Sequence, residues 1–396
     1  MLDLVTAGES HGQALVCILS GMPAGVPLTP DDIDRHLHRR QLGHGRSSRQ
    51  QIERDRAEIL SGVRFERTLG SPIALRIPNR VWDTWQQAMA VTGERPADLA
   101  EVSVPRPGHA DLAGMLKFDS TDLRNVLERA SARETAARVA GGAIAQRLLA
   151  EFGVTVFGHV IELGGVRAAL TDDWDRVQAA AEESPVRCAD GKAADAMIAA
   201  IDAAKTDGDT LGGVIQMVAR GVPPGLGSYG QWTTRLDGRL AQAVMSIPAI
   251  KGVEIGNGFT GAQRRGSQVH DEIILDGERV TRASNRAGGL EGGVTNGQPL
   301  IVSAAMKPLS TLTKPLRTVD LKTKTEARAH VERSDVTAVP AAAVVGEAMV
   351  ALVLADALRE KFGGDTLSDM RKAFDDYQAR LERLLGAPAE RPASQT

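Results

Sequence analysis

The sequence predicts an α+β protein whose strands form antiparallel sheets. Strand-like apolar runs and helical segments do not alternate regularly along the 396 residues, as they would in a doubly wound parallel sheet. The 41 glycines and the 3% of aromatic residues indicate many sharp turns around a core of small aliphatic side chains. No long polar linker is present. We therefore expect one domain over 1–365, an amphipathic helix over 366–386 and a disordered tail over 387–396.

The first elements are predicted to be two strands followed by two helices. Apolar runs indicate strands over 2–6 and 14–19. A helix starts where a capping residue, a proline and two acids follow one another at 29–32, and it ends near Gly43. An arginine-rich polar stretch comes next, and a second helix is expected from about Gln51 to Leu60.

The helix that begins near Ser131 has the clearest local pattern. Ser131 and Glu134 have the spacing of a capping box, and Gly153 follows the end of the helix. Its core-facing positions carry small side chains, so close packing against other elements is expected. These positions are Ala136, Val139, Ala140, Ala143, Ile144 and Leu148.

The rest of the chain is predicted to form short strands followed by two helices. Strands are expected over 154–160, 213–219, 273–275 and 300–304, and helices over 341–361 and 366–386. The most apolar stretch, 339–358, contains Glu347 and Asp356. Its uncharged run is shorter than the roughly 20 residues that span a bilayer, so it predicts a core helix.

Composition excludes several classes of protein. A net charge of −3 gives no reason to expect a nucleic-acid or membrane partner. Cys17 and Cys188 are the only cysteines and are too far apart for a structural zinc motif, so we expect two reduced thiols and no metal. No signal peptide opens the sequence, and a cytoplasmic location is expected.

The segment from Arg35 to Arg67 is strongly basic. It holds nine Lys or Arg residues against four Asp or Glu residues, and Arg40, Arg46 and Arg49 flank a Gly/Ser loop. Three interpretations are open: a solvated basic face, a pocket for carboxylate or phosphate groups, and a nucleic-acid patch. The last is disfavoured because no aromatic residues interleave for base stacking.

Other polar positions suggest anion binding and proton transfer. A helix beginning at Ser131 would attract an anion to its N-terminus. A cation in the first turn is mildly unfavourable, so Arg133 is explained either by a bound phosphate nearby or by a salt bridge to Glu134 or Glu128. His11 and His109 lie in polar loops beside glycine, where acid–base work near neutral pH is favoured over a structural role. The glycine-rich segment 285–293 fits neither a Walker loop nor a dinucleotide fingerprint.

Taken in order, these motifs resemble the chorismate synthase family, and the resemblance extends over residues 1 to about 365. The motifs that carry it are Gly8-Glu9-Ser10-His11-Gly12, Gly43-His44-Gly45-Arg46, Arg106-Pro107-Gly108-His109-Ala110-Asp111, Arg129-Ala130-Ser131-Ala132-Arg133-Glu134-Thr135, Ile250-Lys251-Gly252-Val253-Glu254, Gly288–Gly293, Lys307-Pro308 and Arg333-Ser334-Asp335. The length resembles the monofunctional bacterial type, without an appended flavin reductase.

The resemblance implies a fold and a reaction. The fold would be a helix layer sandwiched between antiparallel β-sheets, assembled as a homotetramer. The reaction would be a 1,4-anti elimination of phosphate from 5-enolpyruvylshikimate 3-phosphate to give chorismate. Reduced FMN would be required but not consumed, and the partner would be a small anionic substrate.

The resemblance also implies roles for individual residues. His11 would protonate the leaving phosphate, His109 would protonate or stabilise the reduced flavin, and Asp335 would relay a proton from flavin N5, with Ser10 and Ser131 as relay partners. The substrate carries one phosphate and two carboxylates, and its candidate ligands are Arg40, Arg46, Arg49, Arg106 and Arg333.

The flavin contacts implied by the resemblance are Arg129, Ala130, Ser131, Pro248, Ala249, Gly292, Lys307, Pro308, Leu309, Ser310, Thr311 and Arg333. Pro248 departs from the family pattern, in which a polar residue usually precedes the alanine, and proline lacks a backbone donor. Arg40 and Arg46 match positions described as contacting NADPH, which we place second to substrate binding.

Two other functions are open as alternatives. A flavin oxidoreductase with net hydride transfer would use the same flavin contacts, but it rarely needs so many arginines. A nucleic-acid-binding module would use Arg40 to Arg56 and would bind duplexes with a strong dependence on salt.

Overall fold

The structure, a computed structural model, describes residues 1–46, 54–331 and 334–386. Its helices are α1 Pro30–Gln41, α2 Asp111–Phe118, α3 Arg124–Ala130, α4 Thr135–Ala150, α5 Trp174–Glu183, α6 Gly191–Asp207, α7 Leu236–Met245, α8 Gly258–Gly261, α9 Val339–Phe362 and α10 Leu367–Leu385. Its strands are β1 Asp3–Ala7, β2 Ala14–Ser20, β3 Glu58–Ile59, β4 Val63–Arg64, β5 Arg67–Thr68, β6 Ile73–Pro78, β7 Thr155–Leu163, β8 Val166–Arg167, β9 Gly213–Arg220, β10 Ile250–Ile255, β11 Ile273–Asp276, β12 Arg279–Arg282, β13 Leu290–Glu291, β14 Val294–Thr295, β15 Leu300–Met306, β16 Arg317–Asp320 and β17 Thr325–Arg328.

Two antiparallel sheets form the outer layers. The first has the strand order β1-β2-β6-β3 and the second has the order β10-β15-β9-β7-β8. Every pairing within them is antiparallel. In β6 the residues Ile73, Leu75 and Ile77 are buried while their neighbours are partly exposed, so this strand turns one face to the core. The predicted α+β class is confirmed.

A layer of helices lies between the sheets, and glycines mark where the layers touch. A β-carbon on Gly141 of α4 would come within 2.6 Å of Leu4 Cδ1 in the first sheet. On Gly142 it would come within 2.3 Å of Ala348 Cβ in α9, and on Gly346 of α9 within 2.5 Å of Met217 Sδ in the second sheet. The order is therefore sheet, α4, α9, sheet, which is the predicted β-α-β sandwich.

Gly142 gives a test of this packing. We expect Gly142→Ala to lower the free energy of unfolding by about 1–3 kcal/mol, because the added methyl group meets the backbone and side chain of Ala348. The measurement is the thermal unfolding midpoint. The control is Gly191→Ala in α6, where nothing lies within 4 Å of an added β-carbon. Equal midpoints for the wild type and Gly142→Ala would contradict the close approach of α4 and α9.

Helix α9 is the apolar core helix that the sequence predicts. Its length and composition would allow it to cross a membrane, but 78% of its most apolar 18-residue window is buried inside the protein. Its buried glutamate, Glu347, accepts hydrogen bonds from Arg39 Nη1 at 2.7 Å and from the Gly158 amide at 2.9 Å. The charge is thus neutralised inside the protein.

Two local predictions are wrong. The helix expected from Gln51 to Leu60 is not formed in its described part: Glu58–Ile59 is strand β3, paired with β6, while residues 51–53 lie outside the described part of the chain. Exposure alternates with period two from Arg54, which is the strand pattern, but the sequence hides it because the buried position 55 is an aspartate.

The capping box at Ser131 is the second correction. Ser131 Oγ accepts from the Arg133 amide at 3.3 Å, but it caps a 3₁₀ turn over Ala132–Glu134, and α4 begins only at Thr135. The Glu134 carboxylate pairs with Arg138. The box is present instead on α1, between Thr29 and Asp32.

At the C-terminus, α10 begins at Leu367 and packs on the core through Leu367 and Met370. The Tyr377 hydroxyl donates to the Pro224 carbonyl at 2.8 Å. The predicted tail, 387–396, lies outside the described residues. Cys17 and Cys188 are both buried free thiols, and burial raises the pKa of Cys17 to about 12.

Candidate active site

A cavity of about 510 Å³ lies at the end of the helix layer where α4 and α9 begin. Its volume is within the range of about 300–1,000 Å³ typical of small-molecule sites. Segments far apart in the chain form its wall, including the loop after β1, the junction of α3 and α4, and the chain after β15. Because helix N-termini carry partial positive charge, this end of the layer favours anions.

The cavity brings most of the predicted site residues together. Its wall includes Ser10, His11, Arg40, Arg46, Arg106, His109, Ala130, Ser131, Pro248, Ala249, Lys307, Leu309, Ser310, Thr311 and Asp335. Arg49 and Arg333 lie outside the described residues.

Three other predicted residues are not among the described lining residues: Arg129, Gly292 and Pro308. The Arg129 guanidinium donates to the carbonyls of Thr6 and Gly8 at 2.9 and 3.0 Å, so it fixes the end of β1. Gly292 lies in the turn between β13 and β14, where the nearest atom to an added β-carbon is Tyr229 Cβ at 4.0 Å.

His109 is held by a buried carboxylate. Its Nδ1 is in short contact with Asp111 Oδ1, and Arg106 Nε donates to the other oxygen of Asp111 at 2.9 Å. Burial alone would raise the pKa of Asp111, but the hydrogen bonds from His109 and Arg106 hold it well below its usual range. An ionised Asp111 accepts a hydrogen bond from Nδ1–H, which leaves Nε2 as the nitrogen that can exchange a proton with a ligand.

The depressed pKa of Asp111 predicts a pH effect on stability. A carboxyl group whose pKa is lower in the folded state adds stability above its unfolded pKa of about 3.9, and this is lost as the pH falls through the folded value. We therefore expect the difference in free energy of unfolding between the wild type and Asp111→Asn to be constant above about pH 5 and to shrink below about pH 4. Denaturant unfolding across pH 3–7 measures it, and a difference that grows towards acid would contradict this assignment.

Arg46 and Asp335 form an ion pair in the cavity wall. Arg46 Nη1 lies 2.8 Å from Asp335 Oδ2, and both side chains are largely buried. Burial lowers the pKa of Arg46, and the charge of Asp335 partly opposes this. Arg46 Nε is buried with no hydrogen-bond partner among the described residues. A buried donor of this kind is costly unless a ligand satisfies it.

Arg40 and Arg133 share one buried carboxylate. Arg133 Nη1 donates to Asp55 Oδ2 at 2.6 Å, and Arg40 Nη1 lies 3.9 Å from the same oxygen. Arg40 also donates to Thr135 Oγ1 and to the Ala132 carbonyl, each at 2.9 Å. The salt bridge expected from Arg133 to Glu134 or Glu128 is thus made to Asp55 instead.

The opposite wall is formed by the chain around β10 and β15. Lys307 Nζ donates to the Gly108 carbonyl at 3.0 Å, which joins this wall to the His109 loop. Burial lowers the pKa of Lys307, and the nearby charge of Lys251 lowers it further. Ala249 has a φ of +70°, a conformation that costs a residue with a β-carbon about 1–2 kcal/mol. Such strain often accompanies binding sites.

A second cavity of about 860 Å³ adjoins the first. The two share the wall residues Arg46, Thr311, Ser334 and Asp335. The Ser334 hydroxyl donates to the Thr311 carbonyl at 3.0 Å and so links two of the shared wall residues. The Arg46–Asp335 pair therefore separates the two spaces.

Two kinds of residue were missed by reasoning from the sequence. Arg133 lines the cavity, although the sequence suggests only a nearby phosphate or a salt bridge for it and the resemblance assigns it no role. Asp111 and Glu128, which are not among the described lining residues, hydrogen-bond to Nδ1 of His109 and of His11, respectively. The His-x-Asp spacing signals Asp111, but nothing local signals that Glu128 meets His11.

A cavity with several guanidinium groups, an ammonium group and two histidine–carboxylate pairs defines an enzyme that binds a small polyanion and transfers protons. Comparisons with known proteins identify the family. The sequence model of chorismate synthase matches residues 2–358. The chain belongs to the chorismate synthase family, and the enzyme is a lyase.

The relatives match along nearly their whole length. The chorismate synthase of Rubrobacter xylanophilus is 56% identical over 395 residues, covering 98% of this chain and 98% of the relative. That of Moorella thermoacetica is 57% identical over 385 residues, covering 97% and 100%. A crystal structure of a chorismate synthase has a TM-score of 0.78 and 44% identity, covering 96% of this chain and 98% of that one.

Proposed function

We propose that the 510 Å³ cavity is where this lyase eliminates phosphate from 5-enolpyruvylshikimate 3-phosphate to give chorismate. The observation that carries the proposal is the convergence of Arg40, Arg46, Arg106, Arg133 and Lys307 on one cavity. A substrate with one phosphate and two carboxylates needs such donors, because guanidinium forks match the oxygens of both groups.

The reduced flavin that this family uses is proposed to be FMN, bound in the same cavity. The chain fits such a ligand: Arg46 Nε needs an acceptor, and the backbone at Ala249 is held in a strained form beside the cavity. When bound, the reduced flavin would supply electron density that assists cleavage of the C–O bond and would offer an acceptor for the ring hydrogen.

The proposed flavin contacts follow from the family resemblance. They are Ala130, Ser131, Pro248, Ala249, Lys307, Leu309, Ser310 and Thr311 in the cavity wall, with Arg129, Gly292, Pro308 and Arg333 as further proposed contacts.

Protons would be moved by side chains of the wall. His11 would donate a proton from Nε2 to the departing phosphate, since its Nδ1 is engaged by Glu128 at 3.0 Å. His109, oriented by Asp111, would hold a proton near the flavin. Asp335 would relay the proton from flavin N5, with Ser10 and Ser131, whose Oγ atoms lie 3.3 Å apart, as relay partners. General acid–base help of this kind is worth about 10²–10⁴-fold.

An anaerobic assay tests the proposal. Purified protein is mixed with reduced FMN and the enolpyruvyl phosphate substrate, and phosphate and flavin absorbance are followed together. The expected result is catalytic release of phosphate while the flavin stays reduced. Flavin oxidation in proportion to product would instead identify an oxidoreductase.

We also propose a cytoplasmic homotetramer with one catalytic domain over 1–365, and secondary contact of NADPH with Arg40 and Arg46.

Binding of nucleic acid through Arg40 to Arg56 is disfavoured because Arg40 is only 5% exposed and donates to Thr135 and Ala132. Absence of duplex binding at moderate salt would remove that alternative.

A further inference from the structure

His11 belongs to a closed cluster of four side chains. Its Nδ1 lies 3.0 Å from both carboxylate oxygens of Glu128, and its ring stacks on Trp85 with centroids 4.0 Å apart. The Arg124 guanidinium lies 4.9 Å above the Trp85 ring and donates to Glu128 Oε1 at 2.9 Å. Each member therefore contacts two others, and the imidazole is restrained at its edge and on one face.

The surroundings of Glu128 favour the ionised form of its carboxyl group. Its side chain is only 2% exposed, and burial would raise its pKa, but the hydrogen bonds from His11 and the charge of Arg124 hold the pKa below its usual value. It also accepts from the His11 amide at 2.8 Å, so backbone and ring are fixed together. An ionised carboxylate at Nδ1 requires the proton to be on that nitrogen.

We propose that Glu128 is a positioning residue for the phosphate elimination, acting through His11 with Arg124 and Trp85 as its supports. It holds the His11 ring with Nδ1 turned to the carboxylate, so that Nε2 is the nitrogen that serves the departing phosphate. The inference rests on the proposed role of His11. It adds the group that sets the orientation and tautomer of the ring.

The test compares Glu128→Gln with Glu134→Gln in the anaerobic phosphate assay. Glutamine keeps the size of the side chain but removes the charge and can hydrogen-bond either ring tautomer. We expect Glu128→Gln to lower kcat by about 10- to 100-fold, a part of the general-acid contribution, with KM changed less than about twofold. Glu134 is a matched control, because it is also buried and pairs with an arginine four residues away. Glu134→Gln should leave kcat unchanged.

A double mutant separates positioning from general destabilisation. In the His11→Ala background, Glu128→Gln should cause no further loss of kcat, because the residue through which it acts is gone. A loss that adds to that of His11→Ala, a change confined to KM, or an unchanged kcat would each overturn the inference. Little loss in His11→Ala itself would instead overturn the proposed role of His11.

Trp85→Leu provides a second variant at a partly exposed loop position, in case Glu128→Gln does not fold. It removes the stacking face while leaving the carboxylate in place. We expect it to lower kcat severalfold with KM unchanged, and again without further effect in the His11→Ala background. An unaltered kcat would show that the cluster does not position the ring.

Discussion

Replacing His109 by alanine is expected to lower the turnover number by about 10²–10⁴-fold while the protein remains folded. His109 lines the cavity, and its Nδ1 is engaged by the buried Asp111. Alanine removes this imidazole and leaves Asp111 paired with Arg106. Single-turnover and steady-state phosphate release under anaerobic conditions measure the loss.

The control for this variant is His270→Ala, which removes an exposed histidine that does not line the cavity. It should show the wild-type rate, and both variants should have unfolding midpoints close to that of the wild type. Near-normal turnover in His109→Ala would remove this histidine from the proton chemistry.

Arg46→Ala is expected to weaken substrate binding by about 10- to 100-fold, because a charge-assisted hydrogen bond contributes about 1.5–3 kcal/mol. Arg46 lines the cavity, its Nε has no partner among the described residues, and its removal leaves the Asp335 carboxylate without this cation. An anionic substrate would then face a more negative wall. Equilibrium binding of the substrate to the flavin-loaded enzyme is the measurement.

Arg35→Ala is the matched control, since it removes the same charge from an exposed position on α1. It should leave affinity unchanged, whereas Arg46→Lys should recover part of it by restoring charge without the guanidinium fork. Unchanged affinity in Arg46→Ala would move the phosphate pocket to another part of the protein.

Local sequence patterns predicted the helices well where the signal lay within a few residues. The cap and proline at Thr29 and Pro30 predicted α1, and small side chains on one face predicted the close packing of α4. The helix predicted over 51–60 failed because β3 is defined by its pairing with β6, a contact that local pattern does not contain.

Most residues of the site were predicted through the ordered motifs. Two carboxylates that hold these residues in place were not predicted. Asp55 neutralises Arg133 from 78 positions away, and Glu128 meets His11 across 117 positions. No spacing rule connects such pairs, since they meet only when the helix layer and the first sheet assemble. The sequence could therefore predict most of the groups that meet the ligand, but it could not identify Asp55 and Glu128 as the carboxylates that hold Arg133 and His11.

A crystal structure of the enzyme with FMN and 5-enolpyruvylshikimate 3-phosphate tests the central claim most directly. We predict that both ligands occupy the 510 Å³ cavity, with substrate oxygens within hydrogen-bond distance of Arg46 and with His11 and His109 in contact with the ligands. Ligands bound elsewhere, with this cavity holding only water, would contradict the account.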